Sequence, residues 1–233
     1  MNRTLSSQKF IGFTVIVVLV LLALWFVVPV VSRQVSETSR IARNYIVSVS
    51  LSSDERTKTE QDIRNIEDEI KRGNTKGAAN MFQQYIRLGN DFETIGRLDL
   101  AIDAYKKASQ NDASFVAYAH MGSAYTTAHD YELAKDAFQQ AIGKAPKEPK
   151  NYQKLAELYW HQLDQIAVAR GVYIQGLVGT NQELGIMKSY ASFLEQTGYT
   201  SESLMYWQAI LKSTPKDQAV KDHIKALTSL KQK

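Results

Sequence analysis

Four times between residues 82 and 217 the chain lays down the same order of small and large side chains. The unit 115–148 is the clearest. Tyr118, Met121, Gly122, Tyr125, Ala134, Phe138, Ala141 and Pro146 stand at positions 4, 7, 8, 11, 20, 24, 27 and 32 of it. The preceding unit, 82–114, is one residue shorter and has Tyr85, Leu88, Gly89, Phe92, Ala101, Tyr105 and Ala108 at matching places. In 149–183, Tyr152, Leu155, Ala156 and Tyr159 are followed, after one inserted residue, by Ala169, Tyr173 and Gly176. The last unit, 184–217, keeps the spacing with Met187, Tyr190, Ala191, Leu194, Ser203, Trp207, Ile210 and Pro215. Self-similarity at a fixed period of this length marks a repeat architecture.

The unit 115–148 resembles the tetratricopeptide repeat at every signature position, with Tyr for Trp and Met for Leu. The resemblance extends in tandem over 82–217. It implies an all-α fold in which each unit is two antiparallel helices, A and B. Small residues at positions 8, 20 and 27 let the two backbones approach, and larger ones at 4, 7, 11 and 24 fill the gaps. Pro146 and Pro215 end B helices, because proline cannot donate the next hydrogen bond. Gly96 and Gly198 fall in the A-to-B turn, where backbone freedom is useful. One hairpin cannot bury its own apolar face, so neighbours stack into a right-handed α-solenoid of about four repeats with end helices. The inserted residue before Ala169 is expected in a loop. Tyr85, Tyr118, Tyr125, Tyr152 and Tyr159 occupy the family's core positions, which sets packing above a platform for nucleic-acid bases.

The rest of the chain frames this array. A short basic tail, 1–9, precedes residues 10–31, which hold no charge and are long enough as a helix to cross a hydrocarbon core of about 30 Å. The run exceeds the usual apolar core of a signal peptide, so a retained single transmembrane helix is expected. Arg3 and Lys9 before it nearly balance Arg33, Arg40 and Arg43 after it, so the positive-inside count is close to even. The arrangement resembles a bacterial inner-membrane anchor with the C-terminal domain outside the cytoplasm. Residues 32–53 read as a juxtamembrane connector in which 45–51 is either a short strand or more stalk. The segment 54–81 holds a leading helix and the start of the solenoid. Ser52 and Glu55 fit a capping box, and Ile63, Ile66 and Ile70 recur on one face. Glu60/Arg64, Glu67/Lys71 and Asp68/Arg72 are candidate i,i+4 pairs. The end, 218–233, reads as a capping helix with Val220, Ile224 and Leu227 on its apolar side.

No catalytic, cofactor or metal site is expected. The chain has no cysteine, and His120, His129, His161 and His223 make no His-x-x-x-His pair. It also lacks a phosphate loop and a dinucleotide fingerprint. Arg3 and Lys9 supply half of the formal charge of +4, leaving the remainder nearly balanced and giving no case for nucleic acid. No small-molecule substrate is expected either. In the family, the inner faces of the A helices line a groove for a peptide or a partner helix. The resemblance carries that role to Arg87, Asn90, His120, Ser123, Lys150, Lys154, Glu157, Trp160 and Lys188. Ile86 and Glu195 fall at further inner positions. Arg87, Lys150, Lys154 and Lys188 either attract an acidic segment or simply solvate the face. Lys150 and Lys154 also resemble the third-unit pair of the carboxylate clamp of co-chaperone members, and Asn90 falls at a compatible place. His120 stands where that clamp has Asn. Trp160 is either a groove residue or packed at the joint between units. The expected partners are other proteins, together with a lipid bilayer through 10–31. The expected role is an envelope-biogenesis adaptor or, as the alternative, a permanent subunit of a membrane complex.

Overall fold

The computed structural model describes residues 45–73, 78–111 and 114–230. The basic tail, the apolar run 10–31 and the connector up to residue 44 lie outside the described residues. The chain divides into two compact units, Met1–Ile46 and Val47–Lys233. The second is all-helical.

Its first helix, α1 (Ser53–Lys71), starts where Ser52 and Glu55 close the anticipated capping box. The Ser52 hydroxyl accepts from the Glu55 N–H, and the Glu55 carboxylate accepts from the Ser52 N–H. Ile63 and Ile66 are buried on its inward stripe. Of the three anticipated ion pairs, Asp68 and Arg72 come within 3.8 Å. Arg64 turns instead to Gln61.

Four hairpins follow. They are α2 (Ala78–Thr94) with α3 (Leu98–Asn111), α4 (Phe115–Thr127) with α5 (Tyr131–Lys144), α6 (Pro149–Glu157) with α7 (Ile166–Gly179), and α8 (Leu184–Gln196) with α9 (Thr200–Ser213). A final helix, α10 (Gln218–Leu230), closes the array. Each helix packs chiefly on the next in the chain, and α6 also reaches α8. Among the described residues no helix is long and apolar enough to cross a membrane.

The repeat positions explain the packing. A Cβ at Gly122 would lie 2.6 Å from the Phe138 ring, and one at Gly89 would overlap the Tyr105 ring. Positions 8 and 24 therefore meet backbone to ring. In the last unit Ser203 takes the small position 20, and its hydroxyl donates to the Ala191 carbonyl at 2.8 Å. Each A-to-B turn holds one residue at positive φ: Gly96, His129, Asp164 and Gly198. Glycine is needed at Gly96 for a second reason. Val47 donates to the Gly96 carbonyl at 2.9 Å, and the Val47 carbonyl occupies the space a Cβ would take. The end of the connector thus lies along this turn. Of the five tyrosines expected in the core, Tyr125 and Tyr152 are buried, while Tyr85, Tyr118 and Tyr159 are half-buried.

The inserted residue of the third unit is not in a loop. Leu158–Gln162 forms a π-helical turn that continues α6, and the Leu163 N–H bonds to the Leu158 carbonyl five residues back, at 3.2 Å. The turn after it, through Asp164, keeps the form of the others and has no place for an extra residue. The first residue of the π turn, Leu158, is buried, and Trp160 in its middle packs edge-on to Phe193. The surplus is taken up between these two anchors.

Candidate functional site

The A helices α4, α6 and α8 line three adjoining hollows. The first, about 440 Å³, lies between α4 and α6 and is bounded by Phe115, Val116, Ala119, His120, Ser123, Glu148, Lys150, Asn151 and Lys154. The second, about 270 Å³, shares Ser123 and Lys154 and adds Glu157, His161 and Gln162. The third, about 430 Å³, shares Glu157 and His161 and adds Trp160, Lys188, Ser189, Ser192 and Gln196. Seven of the nine candidate residues therefore border one continuous run of hollows. They are His120, Ser123, Lys150, Lys154, Glu157, Trp160 and Lys188. Arg87 and Asn90 on α2 border none of the three.

The charges are not equivalent. Lys188 reaches out of α8 to Asp217, at 2.8 Å, just before α10. The hydrogen bond from Lys188 holds the Asp217 carboxyl below its ordinary range. Lys188 thus ties the last unit to its cap. Lys154 lies 3.4 Å from Glu157 on the same helix turn, and both are well exposed, so that pair is weak. Lys150 has no ion pair within 4.0 Å among the described residues. The cations do not form one anion clamp. Glu195, an expected inner residue, accepts from Trp207 Nε1 at 3.2 Å and meets His223 Nδ1 at 2.9 Å. Ile86, also expected on the inner face, is buried in the core.

At the other end, the Tyr105 hydroxyl donates to Asn90 Oδ1 at 2.8 Å, and His120 stacks on the Tyr105 ring at 4.9 Å. Burial pushes the His120 pKa down and the Glu93 pKa up. Trp160 packs edge-to-face on Phe193 at 5.1 Å, at the joint with the last unit, and it borders the third hollow.

Three residues on this face were not among the candidates. His161 stacks on Trp160 at 3.9 Å and borders two hollows, because the π turn brings two consecutive rings to the same side. Gln162 accepts from the Tyr131 hydroxyl at 3.2 Å. Asn151 is 1% exposed. The signal for His161 and Gln162 was the inserted residue itself. For Asn151 the sequence carried none.

No family model and no curated protein matches the sequence. Solved structures do match its fold. The crystal structure of MamA superposes with a TM-score of 0.52 at 23% identity, covering 73% of this chain and 98% of that one. A double mutant of MamA RS-1 gives 0.52 at 12% identity, covering 70% and 89%. A thermophilic tetratricopeptide repeat protein of Thermus thermophilus gives 0.51 at 16% identity, covering 71% and 88%. The fold is a tetratricopeptide-repeat array. At these identities the likeness concerns the fold alone. In tetratricopeptide terms, the three hollows follow the A-helix side, and the π turn is a departure confined to the third unit. Among the described residues, no three His, Asp or Glu side chains are grouped to hold a metal ion.

Proposed function

We propose that this chain is a membrane-anchored scaffold that holds a segment of another protein along the A helices of its repeats. The observation that carries the reading is the continuous run of hollows from α4 to α8. Its lining mixes apolar side chains such as Phe115, Val116 and Trp160 with polar ones, of which Lys150, His161 and Ser189 have no side-chain hydrogen bond or ion pair among the described residues. The anchor is residues 10–31, on the strength of their length and lack of charge. A tether there raises the local concentration of the scaffold at the bilayer. The setting we favour is assembly or client capture at the envelope of a bacterium, with the repeats outside the cytoplasm.

In-cell photocrosslinking from Trp160 and from Lys154 tests the groove. Several substoichiometric partners are expected, and Lys150→Glu with Lys154→Glu is expected to weaken capture of an acidic partner. If nothing crosslinks from either position, the groove reading fails. Protease accessibility on intact cells tests the side of the membrane.

One observation favours the alternative of a permanent subunit. The outer side of α7 exposes Val168, Ile174 and Val178, the last at 79%, and α9 exposes Met205 at 68%. Exposed apolar surface of this kind suits a fixed neighbour. Crosslinking from Val178 separates the two readings, since one constant partner caught there, and none at Trp160, favours the subunit.

A further inference from the structure

The C-terminal end of the array is the basic end of the chain. Residues 212–233 hold six lysines against two aspartates, with no arginine and no glutamate. That leaves +4, as much as the formal charge of the whole protein. Lys212, Lys216, Lys221 and Lys225 are exposed, and none has an ion pair within 4.0 Å among the described residues. Of the two aspartates, Asp217 is already paired with Lys188 at 2.8 Å, which leaves Asp222 against four cations. These lysines surround an apolar seam. Between α9 and α10 lies an open hollow of about 610 Å³, lined by Met205, Gln208, Ala209, Leu211, Lys212 and Ile224. Met205 is 68% exposed. Helix α10 buries its own stripe, Val220 and Leu227, against Trp207 and Ile210 of α9, so the outward amphipathic feature is the seam rather than either helix. At helical spacing Lys221 and Lys225 follow Ile224 around α10, away from that stripe. Lys216 stands in the turn between the two helices. The exposed Val168, Ile174 and Val178 of α7 have no such collar, because the one cation of that helix, Arg170, is paired with Glu202.

We infer that the α9–α10 seam docks on an anionic lipid surface, with Met205 reaching into the headgroup boundary and Lys212, Lys216, Lys221 and Lys225 over the charged headgroups. Exposed apolar side chains among basic ones bind such a surface by the two effects together. Lysine is a hydrated point charge on a flexible stem, suited to a diffuse set of lipid phosphates. The carboxylates of an acidic protein segment are better held by the planar fork of arginine, which this stretch lacks. The inference is independent of the groove and draws on the anchor reading only for the nearness of a bilayer.

The test uses the full chain in lipid nanodiscs. The protein has no cysteine, so Met205→Cys gives a single attachment point for an environment-sensitive fluorophore. In discs of equal phosphatidylglycerol and phosphatidylcholine, the emission is expected to shift to the blue and to be quenched by brominated lipid. In phosphatidylcholine alone neither is expected. Salt at about 1 M, which screens charges beyond about 3 Å, is expected to reverse the shift. Lys212→Gln, Lys216→Gln, Lys221→Gln and Lys225→Gln together are expected to abolish it, with a melting temperature within a few degrees of the wild type's, since these side chains give up no ion pair. No shift in the anionic discs, or an equal shift in both kinds of disc, overturns the inference. So does a shift produced by poly-glutamate in solution but not by the anionic discs, which would make the seam a site for an acidic protein. A chain that does not enter the discs overturns the anchor reading instead. The labelled chain mixed with vesicles of the same anionic composition is then still expected to shift, and the lack of a shift there overturns the inference as well.

Discussion

Gly122 and Gly171 show how the same residue type serves two different ends in one array. At Gly122 a methyl group would press into the ring of Phe138, which is itself buried. Ala156 and Ala191 hold the equivalent place in later units, so a methyl is acceptable where the hairpin is built around it. In the second unit it is not, and Gly122→Ala is expected to cost about 1–3 kcal/mol in denaturant unfolding. Gly171 has nothing within 4 Å of its would-be Cβ and sits at ordinary φ in the middle of α7. Gly171→Ala is therefore expected to stabilise, by about 1 kcal/mol, the ordinary difference in helix propensity. His120 gives a pH test at the same scale. Burial depresses its folded-state pKa below the unfolded value of about 6.5, so the unfolded chain binds the extra proton more readily. Its contribution to stability is intact above that value and is lost as the pH falls through the folded-state pKa. The difference in melting temperature between His120→Gln and the wild type should shift in favour of the variant as the pH drops below about 6.5. A difference that stays constant with pH would mean that His120 is not desolvated.

At the scale of the element, the third unit is the informative one. Its inserted residue was visible in the sequence, but its place was not. Spacing alone cannot tell a longer loop from a wider helical turn. The choice depends on which side chains nearby are already held, here Leu158 in the core and Trp160 against Phe193. If the residue is a true surplus, deleting Tyr159, half-buried and bordering none of the three hollows, converts the π turn to ordinary helix. π-helical turns are rare single-turn features, often associated with function rather than stability. The Tyr159 deletion is expected to melt cooperatively within a few degrees of the wild type. Deleting Thr126, one position further along the A helix of the second unit, removes a residue that has no surplus to draw on. That protein is expected to lose its cooperative melting by circular dichroism. The capping box at Ser52, the inward isoleucines of α1 and the glycine turns were also legible, because each depends on neighbours in sequence. The Lys188–Asp217 tie and the Glu195–Trp207–His223 cluster were not. They join residues of different helices, and their pairing depends on how α10 docks.

For the repeat unit as a whole, the contacts run between successive helices and hardly at all between distant ones. That was legible from the period. The charge pattern of the groove was not, because Lys188 answers to Asp217 beyond the last hairpin and Lys154 to Glu157 on its own helix. Nearest-neighbour packing has a thermodynamic consequence: the stability of such an array is close to a sum over hairpins and their joints. The last hairpin and its cap share one apolar cluster of Ala191, Trp207, Ile210, Val220 and Leu227. The Trp207 ring also stacks on His223 at 4.2 Å, so α10 leans on this one side chain. Trp207→Ala removes it at a cost of about 3–5 kcal/mol, the usual range for a buried tryptophan. In hydrogen exchange followed by mass spectrometry, α8, α9 and α10 are expected to lose most of their protection. Helices α2 to α5, two hairpins away, should keep theirs, because no packing contact carries the loss that far. A uniform fall in protection across all the repeats would mean that the array unfolds as one cooperative body. The groove would then open and close as a whole, and a partner bound at the second and third units would stabilise the last hairpin and its cap as much as its own hairpins.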